Sequence, residues 1–139
     1  MADGFTVTPW EVEGSIDYGK LISMFGLEPI NIDKLPDQFK DNLLFRRGII
    51  FAHRDIGRVI NAVKDKKPFA MMTGLMPSGN FHFGHKLIAD QIIFYQSLGA
   101  KVYLAVADIE AFSTRIPNMK ELRKIATEQY LANYIALGL

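Results

Sequence analysis

The sequence contains no cysteine among its 139 residues. This absence excludes disulfide bonds, zinc sites with thiolate ligands and catalytic thiols, and it is compatible with a reducing cytoplasm. An excess of charge is missing too, because 16 Lys and Arg stand against 15 Asp and Glu, for a net charge of +1. The charge balance therefore gives no basic field of the kind that indicates a nucleic-acid partner by itself.

Long apolar runs are absent as well. A membrane-spanning helix needs about 20 apolar residues, and no run in this sequence approaches that length. Residues 1–4 have neither the basic nor the apolar region of a secretory signal. Since 49% of the residues are hydrophobic, the chain can still form one compact core. We predict a soluble, cytoplasmic protein without membrane contact.

The segment from residue 68 to residue 108 predicts a strand, a helix and a second strand. Pro68–Gly74 is a short apolar run, and Lys101–Asp108 is another that is rich in β-forming residues. Apolar residues at helical spacing predict a helix over 83–98, which Gly99 would end. Its predicted apolar stripe consists of Leu87, Ile88, Ile92, Tyr95 and Leu98. Together these elements predict a parallel β-α-β unit and an α/β fold, with a ligand site at the carboxyl ends of the strands.

Two histidines stand where this predicted helix begins, in the run His82-Phe83-Gly84-His85. A helix N-terminus favours anions, and imidazole N–H groups donate to them, so the expected ligand is a nucleotide phosphate. A pair of histidines without a ligand is the alternative. A metal site is not expected, because the sequence indicates no third ligand nearby.

The flanking segments predict a hairpin and capped helices. Phe5 and Val7 alternate with Thr6 and Thr8 before the turn residues Pro9, Trp10 and Gly14. Predicted N-caps are Asp17, Asp55 and Asn118, and Gly26 is a predicted helix stop. The helix after Asn118 has a predicted apolar side made of Met119, Leu122, Ile125, Ala126, Leu131, Tyr134 and Ile135. We predict two domains, a short α/β N-terminal segment over 1–67 and a nucleotide-binding domain over 68–139.

His82-Phe83-Gly84-His85 resembles the HIGH signature of class I aminoacyl-tRNA synthetases. Thr73–Gly79 before it and Ala107–Phe112 after it are similar to the tyrosyl/tryptophanyl branch. The N-terminal segments Val7–Gly14, Asp17-Tyr18, Leu43–Gly48 and Phe51–Asp55 resemble the tryptophanyl-tRNA synthetases of archaeal and eukaryotic type. The resemblance covers nearly the whole chain, and it implies the first half of a Rossmann-like class I catalytic domain.

The resemblance implies a site for ATP, with Mg²⁺ bound on the phosphates. Its ATP-binding residues would be Gly74, Pro77, Ser78, Gly79, His82, Gly84 and His85, of which His82 and His85 would be catalytic. In this family the tryptophan carboxylate attacks the α-phosphorus of ATP, pyrophosphate leaves, and the aminoacyl group then passes to tRNA(Trp). Gly84 would let the nucleotide lie against the backbone.

The implied amino acid pocket departs from the family pattern. Relatives contact the indole with Tyr, Gln and Glu, whereas this sequence has Met72, Ala105 and Glu110 at those positions. The Arg that often follows Thr-Gly is Leu75 here. Met72, Ala105, Asp108 and Glu110 are the candidate amino-acid-binding residues, and Glu110 could accept the indole N–H. For Asp108, capping of the following turn is an equal alternative.

The KMSKS loop of the family occurs nowhere in the sequence, so we expect an N-terminal part of the enzyme with little activity of its own. The family also implies a homodimer. Three other hypotheses stay open: a tyrosyl-tRNA synthetase, a non-catalytic nucleotide-binding fragment, and a small-molecule nucleotidyltransferase that shares the H-x-G-H loop. The last normally carries this loop close to its N-terminus, which it does not do here.

Overall fold

The computed structural model describes residues 6–7, 12–13 and 17–139. The chain divides into two compact units, Met1–Arg58 and Val59–Leu139. The division predicted at residue 67 stays a prediction. No helix within the described residues combines the length and the apolar character that crossing a membrane would require.

The first unit contains two short antiparallel strand pairs and several short helices. Its described elements are β1 Thr6–Val7, β2 Val12–Glu13, α1 Tyr18–Met24, β3 Glu28–Pro29, a 3-10 turn Ile32–Lys34, α2 Asp37–Asp41, α3 Leu43–Arg46 and β4 Ala52–His53. β1 pairs with β2, so the predicted hairpin is confirmed in its described part. β3 pairs with β4. The predictions for Phe5, Thr8, Pro9, Trp10 and Gly14 lie outside the described residues.

Local chemistry sets the helix ends in this unit as predicted, with one exception. The Asp17 carboxylate accepts a hydrogen bond from the Lys20 N–H at 3.1 Å, and Gly26 follows α1 with a φ of +59°, so both signals are confirmed. Asp55 was predicted to cap α4 (Ile56–Lys64). The Ile56 N–H instead donates to Nδ1 of His53 at 3.5 Å, because Asp55 adopts a left-handed conformation with φ +59°.

The second unit contains the predicted parallel β-α-β unit. β5 (Ala70–Leu75) and β6 (Lys101–Val106) pair in parallel from Ala70↔Lys101 to Leu75↔Val106. α5 (Phe83–Ser97) connects them, and Gly99 ends the helix with a φ of +97°. The remaining elements are α6 Asp108–Thr114, α7 Met119–Ile125, a π-helical segment Ala126–Leu131 and α8 Ala132–Leu137. The predicted Rossmann-like α/β class is confirmed.

The buried side of α5 differs from the predicted stripe. Ala89 and Ile92 are fully buried, whereas Leu87 and Ile88 remain 40% and 42% exposed. The helix carries apolar residues on more than one side, so its sequence alone does not decide which side faces the core. The spacing His85–Ala89–Ile92 keeps these three residues on one face of the helix, and His85 thereby lies on the buried side.

The final helix also differs from its prediction, because the chain forms one wide π-helical turn over Ala126–Leu131. Asn118 does cap α7, accepting from the Lys120 and Glu121 N–H groups at 3.1 and 3.2 Å. Beyond the π turn, however, Tyr130 is completely buried and Ile135 is 69% exposed. The π turn shifts the phase of the helix, so the inward side passes through Tyr130 and, as predicted, Tyr134, whereas Ile135 faces outward.

Candidate functional site

The H-x-G-H run forms a reciprocal cap at the start of α5. His82 is the N-cap residue, and its Nδ1 accepts a hydrogen bond from the Gly84 N–H at 3.2 Å. In return, Nδ1 of His85 accepts from the His82 N–H at 3.2 Å. The two rings lie 3.8 Å apart between centroids. Both predicted catalytic residues are therefore brought together at one helix N-terminus.

These hydrogen bonds determine where the ring protons are. A neutral imidazole has one N–H donor and one acceptor nitrogen. Because Nδ1 of His82 and of His85 both accept, each neutral ring carries its proton on Nε2. The exposed His82 ring can offer this Nε2–H to a ligand, and the N-terminal end of a 15-residue helix adds positive potential beside it.

The His85 ring is partly enclosed by aromatic side chains. The Phe81 ring lies 5.4 Å from it and the Tyr130 ring 4.9 Å, both between centroids. The Tyr130 hydroxyl lies 3.5 Å from Nε2 of His85. Burial lowers the pKa of His85, and the charge of His82 lowers this pKa further. The neutral form of His85 is therefore favoured in the folded protein.

Gly84 has a local steric role. A Cβ added at this position would lie 3.0 Å from Cε1 and 3.2 Å from Nδ1 of His82. At such distances the His82 ring would have to shift by a few tenths of an ångström. Absence of a side chain at Gly84 thus allows the His82 ring to fold back onto the first turn of α5.

The loop between β5 and α5 lies at the carboxyl end of β5. Pro77 is buried and Ser78 is exposed, and the Ser78 N–H donates to the Met76 carbonyl at 2.8 Å. A Cβ on Gly74 would meet the Ala105 carbonyl at an ordinary 3.9 Å, and one on Gly79 would meet nothing within 4 Å. The described structure therefore gives no internal steric reason for glycine at these two positions.

The predicted amino-acid-binding residues lie on β5, on β6 and in the first turn of α6. Met72, Gly74 and Ala105 are exposed on the same face of the two strands, and Gly74 pairs with Ala105 in the register. Asp108 and Glu110 belong to the first turn of α6, which begins directly after β6. The Asp108 carboxylate accepts from the Ile109 N–H at 2.9 Å, while Glu110 is exposed.

Tyr130 and Phe81 are the site residues that the sequence analysis did not identify. Tyr130 and Tyr134 are both buried in the core, at 0% and 1% exposure. Contact of Tyr130 with His85 adds to this packing. No local pattern could have indicated it, because 45 residues separate the two side chains.

A shallow depression adjoins the outer side of His82. Its volume is about 270 Å³. It is lined by Phe81, His82, Phe83, Lys86, Asn133 and Leu137. The Lys86 ammonium, one turn into the helix, pairs with the Asp90 carboxylate at 2.6 Å.

A parallel strand pair whose connecting helix opens on H-x-G-H defines a Rossmann-like α/β protein. A family model for class I tRNA synthetases (W and Y) matches residues 64–139. The chain belongs to this family, as its motifs predicted.

Similar proteins include the tryptophan–tRNA ligase of Archaeoglobus fulgidus, 49% identical over 133 residues, which are 96% of this chain and 31% of that protein. The Methanocaldococcus jannaschii enzyme of the same name is 43% identical over 96% of this chain and 36% of that protein. The chain thus spans about a third of the length of these curated relatives.

Solved structures agree with this assignment. The tryptophanyl-tRNA synthetase of Aeropyrum pernix K1 matches with a TM-score of 0.76 and 44% identity, over 88% of this chain and 34% of that one. The Encephalitozoon cuniculi enzyme, solved bound to tryptophan, matches with a TM-score of 0.77 and 27% identity, over 88% of this chain and 38% of that one. Membership of the family counts against the small-molecule nucleotidyltransferase hypothesis.

Proposed function

We propose that the protein activates tryptophan with ATP, as tryptophanyl-adenylate, and transfers it to tRNA(Trp). One observation carries the proposal: the H-x-G-H run caps the crossover helix of a parallel strand pair, at the end of the sheet where such folds bind nucleotides. Relatives called tryptophan–tRNA ligase support the choice of amino acid. A cytoplasmic location and a homodimeric full-length enzyme are also part of this proposal.

The ATP phosphates would lie over the start of α5 and the preceding loop. The proposed contacts come from Gly74, Pro77, Ser78, Gly79, His82, Gly84 and His85. His82 is the direct donor in this arrangement, because its exposed Nε2–H is not used by the capping hydrogen bonds. His85 supports it by accepting the His82 N–H. Loss of one donor to a developing charge typically raises a barrier by about 2.7–4 kcal/mol.

The amino acid would lie along the exposed face of β5 and β6. Met72 and Ala105 offer an apolar surface to a flat ring, and the Glu110 carboxylate would accept the indole N–H. Asp108 is the less direct candidate, since its carboxylate already accepts from the Ile109 N–H. Activation requires the carboxylate of the amino acid to approach the α-phosphorus in line, so alignment of the two ligands is the main contribution of the protein.

Mg²⁺ would arrive with ATP. Within the described residues, no group of three or more His, Cys, Asp or Glu side chains is placed to hold a metal ion. Mg²⁺ in nucleotide sites commonly keeps several waters and is bound largely by substrate phosphates. It would supply charge neutralisation on the phosphates, while the His82 ring contributes one N–H donor.

Amino-acid-dependent exchange of pyrophosphate into ATP tests this proposal, because it measures adenylate formation alone. We expect the full-length protein to show exchange with tryptophan and none with tyrosine at equal concentration, since this part of it is expected to have little activity of its own. Exchange with tyrosine only would contradict the proposal and favour a tyrosyl-tRNA synthetase.

The substitution Glu110→Gln tests the amino acid pocket. The Gln amide oxygen can still accept the indole N–H but carries no charge, so tryptophan binding should weaken by roughly tenfold, as measured by calorimetry in the presence of Mg-ATP. Glu121→Gln is the matched control, since Glu121 is exposed in the first turn of α7. Equal tryptophan affinity of both variants would show that Glu110 does not contact the amino acid.

A further inference from the structure

We infer that Tyr130 is a positioning residue for the H-x-G-H site, holding the His85 ring through its hydroxyl from the π-helical turn. The inference deepens the proposed function and rests on it only where nucleotide binding is concerned. Its structural part concerns the His82 backbone N–H, the His85 ring and the Tyr130 hydroxyl.

The first step is the direction of the hydrogen bond. Nδ1 of His85 accepts from the His82 N–H, so the proton of the neutral ring is on Nε2. This Nε2 lies 3.5 Å from the Tyr130 oxygen. The Tyr130 oxygen is therefore the acceptor. His85 accepts from the His82 backbone N–H at Nδ1 and donates to the Tyr130 hydroxyl from Nε2.

The second step is that the aromatic contacts of the His85 ring do not fix its rotation. The Phe81 ring is tilted by 32° against His85 at 5.4 Å, and the Tyr130 ring meets it edge-on at 75°. Aromatic contacts of this kind restrict a ring without distinguishing one nitrogen from the other. The His82 N–H makes this distinction at Nδ1, and the Tyr130 hydroxyl, as the partner of the protonated Nε2, holds the opposite edge of the ring.

The third step explains why Tyr130 can reach His85. Leu122, Ala126, Tyr130 and Tyr134 recur every four residues and are all buried. In an uninterrupted α-helix, twelve residues would rotate Tyr134 by about 120° away from Leu122. The wide turn over Ala126–Leu131 has i→i+5 hydrogen bonding and more residues per turn, so it keeps the four residues on one face. Without it Tyr130 would turn away from His85.

The consequence for the site is a rigid His82. His85 holds the His82 backbone N–H, and Tyr130 holds His85. The N-cap ring that offers the free Nε2–H is thus supported from the core by a chain of two hydrogen bonds. Pre-organised donors contribute more to phosphate binding than mobile ones, because less ordering is needed on binding.

The direct experiment is nitrogen-15 NMR of the three histidine rings in the 139-residue chain near neutral pH without ligand. We expect the proton of His85 on Nε2. A His85 ring protonated on Nδ1 would overturn the inference, and this measurement needs no variant.

Tyr130→Phe removes the hydroxyl and keeps the ring. We expect the Nε2–H of His85 to exchange with water about fivefold faster, the factor for one ordinary hydrogen bond, with the signals of His53 unchanged. Tyr134→Phe is the matched control: the same change in an equally buried ring four residues on should leave His85 unaltered. Unchanged exchange in Tyr130→Phe, or an equal effect of Tyr134→Phe, would overturn the inference.

ATP titration of the same three proteins separates this inference from the proposed function. We expect Tyr130→Phe to weaken ATP binding by about fivefold and Tyr134→Phe to leave it unchanged. Altered His85 exchange without any change in ATP affinity would overturn the positioning role for the ligand. Absence of ATP binding in the unsubstituted chain, with the Nε2–H tautomer present, would instead contradict the proposed nucleotide site.

Discussion

At the residue scale, the site depends on two histidines with the same ring tautomer and different surroundings. His82 is exposed at the N-cap, and His85 is partly buried against Phe81 and Tyr130. A protonated His85 would carry a hydrogen on Nδ1, facing the N–H of His82, and the capping hydrogen bond would be lost. Burial of the ring, the charge of His82 and the capping hydrogen bond therefore all favour the neutral form of His85.

The lowered pKa of His85 predicts a pH dependence of stability. In the unfolded chain this ring titrates near 6.5, and in the folded protein its pKa is lower. The unfolded state consequently binds more protons between the two values, so the free energy of unfolding should fall as the pH drops below about 6.5. Denaturant unfolding at about pH 7.5 and about pH 5 measures this loss.

His85→Gln should reduce this pH dependence, because Gln does not titrate and can still accept at the third position of the helix. His53→Gln controls for removal of an imidazole elsewhere in the chain. If His85→Gln loses as much stability between the two pH values as the unsubstituted protein does, His85 is not the responsible group.

At the element scale, caps define the helix starts and the π turn defines the phase of the last helix. Asp17 and Asn118 each accept from backbone N–H groups of the first helical turn. Such caps depend on residues two or three positions apart, so they are visible in the sequence. The π turn depends on burial of Tyr130 and Tyr134 in the core around Ile92, and a local pattern does not reveal it.

Asn118→Ala should destabilise the protein by about 1 kcal/mol. The Asn118 oxygen accepts from two N–H groups at the start of α7, and both would lose this partner. Asn61→Ala is the matched control, because Asn61 is exposed inside α4, where alanine favours the helix by up to about 0.7 kcal/mol. Denaturant unfolding of both variants should therefore give shifts of opposite sign. A destabilised Asn61→Ala, or an unaffected Asn118→Ala, would contradict this account of the cap.

At the scale of the whole molecule, each unit has its own buried residues. Leu35, Phe39, Leu44 and Phe45 are buried in the first unit, where the rings of Phe39 and Phe45 meet at 5.4 Å. In the second unit, Leu75, Ala89, Ile92, Tyr130 and Tyr134 form one cluster. This cluster lies beside the candidate site, since Phe81 and Tyr130 contact both the cluster and His85.

Ile92→Ala should lower the free energy of unfolding by about 2–5 kcal/mol, through lost burial and the cavity that remains. Ile88→Ala, four residues earlier on the same helix and 42% exposed, should cost much less. The denaturant midpoint of each variant, at an unchanged slope, measures the difference. Similar losses for the two variants would mean that the buried side of α5 has been assigned wrongly.

The sequence by itself determined the α/β class, the strand-helix-strand unit, most helix ends and the family, because these depend on local spacing, capping chemistry and motif. It also identified His82 and His85 as neighbours at one helix start. Tertiary structure alone decided which side of α5 is buried, the phase of the helix beyond Ala126, and the contact between Tyr130 and His85. These features depend on residues far apart in the chain that share one core, and a periodic pattern cannot indicate which of several apolar sides will face it.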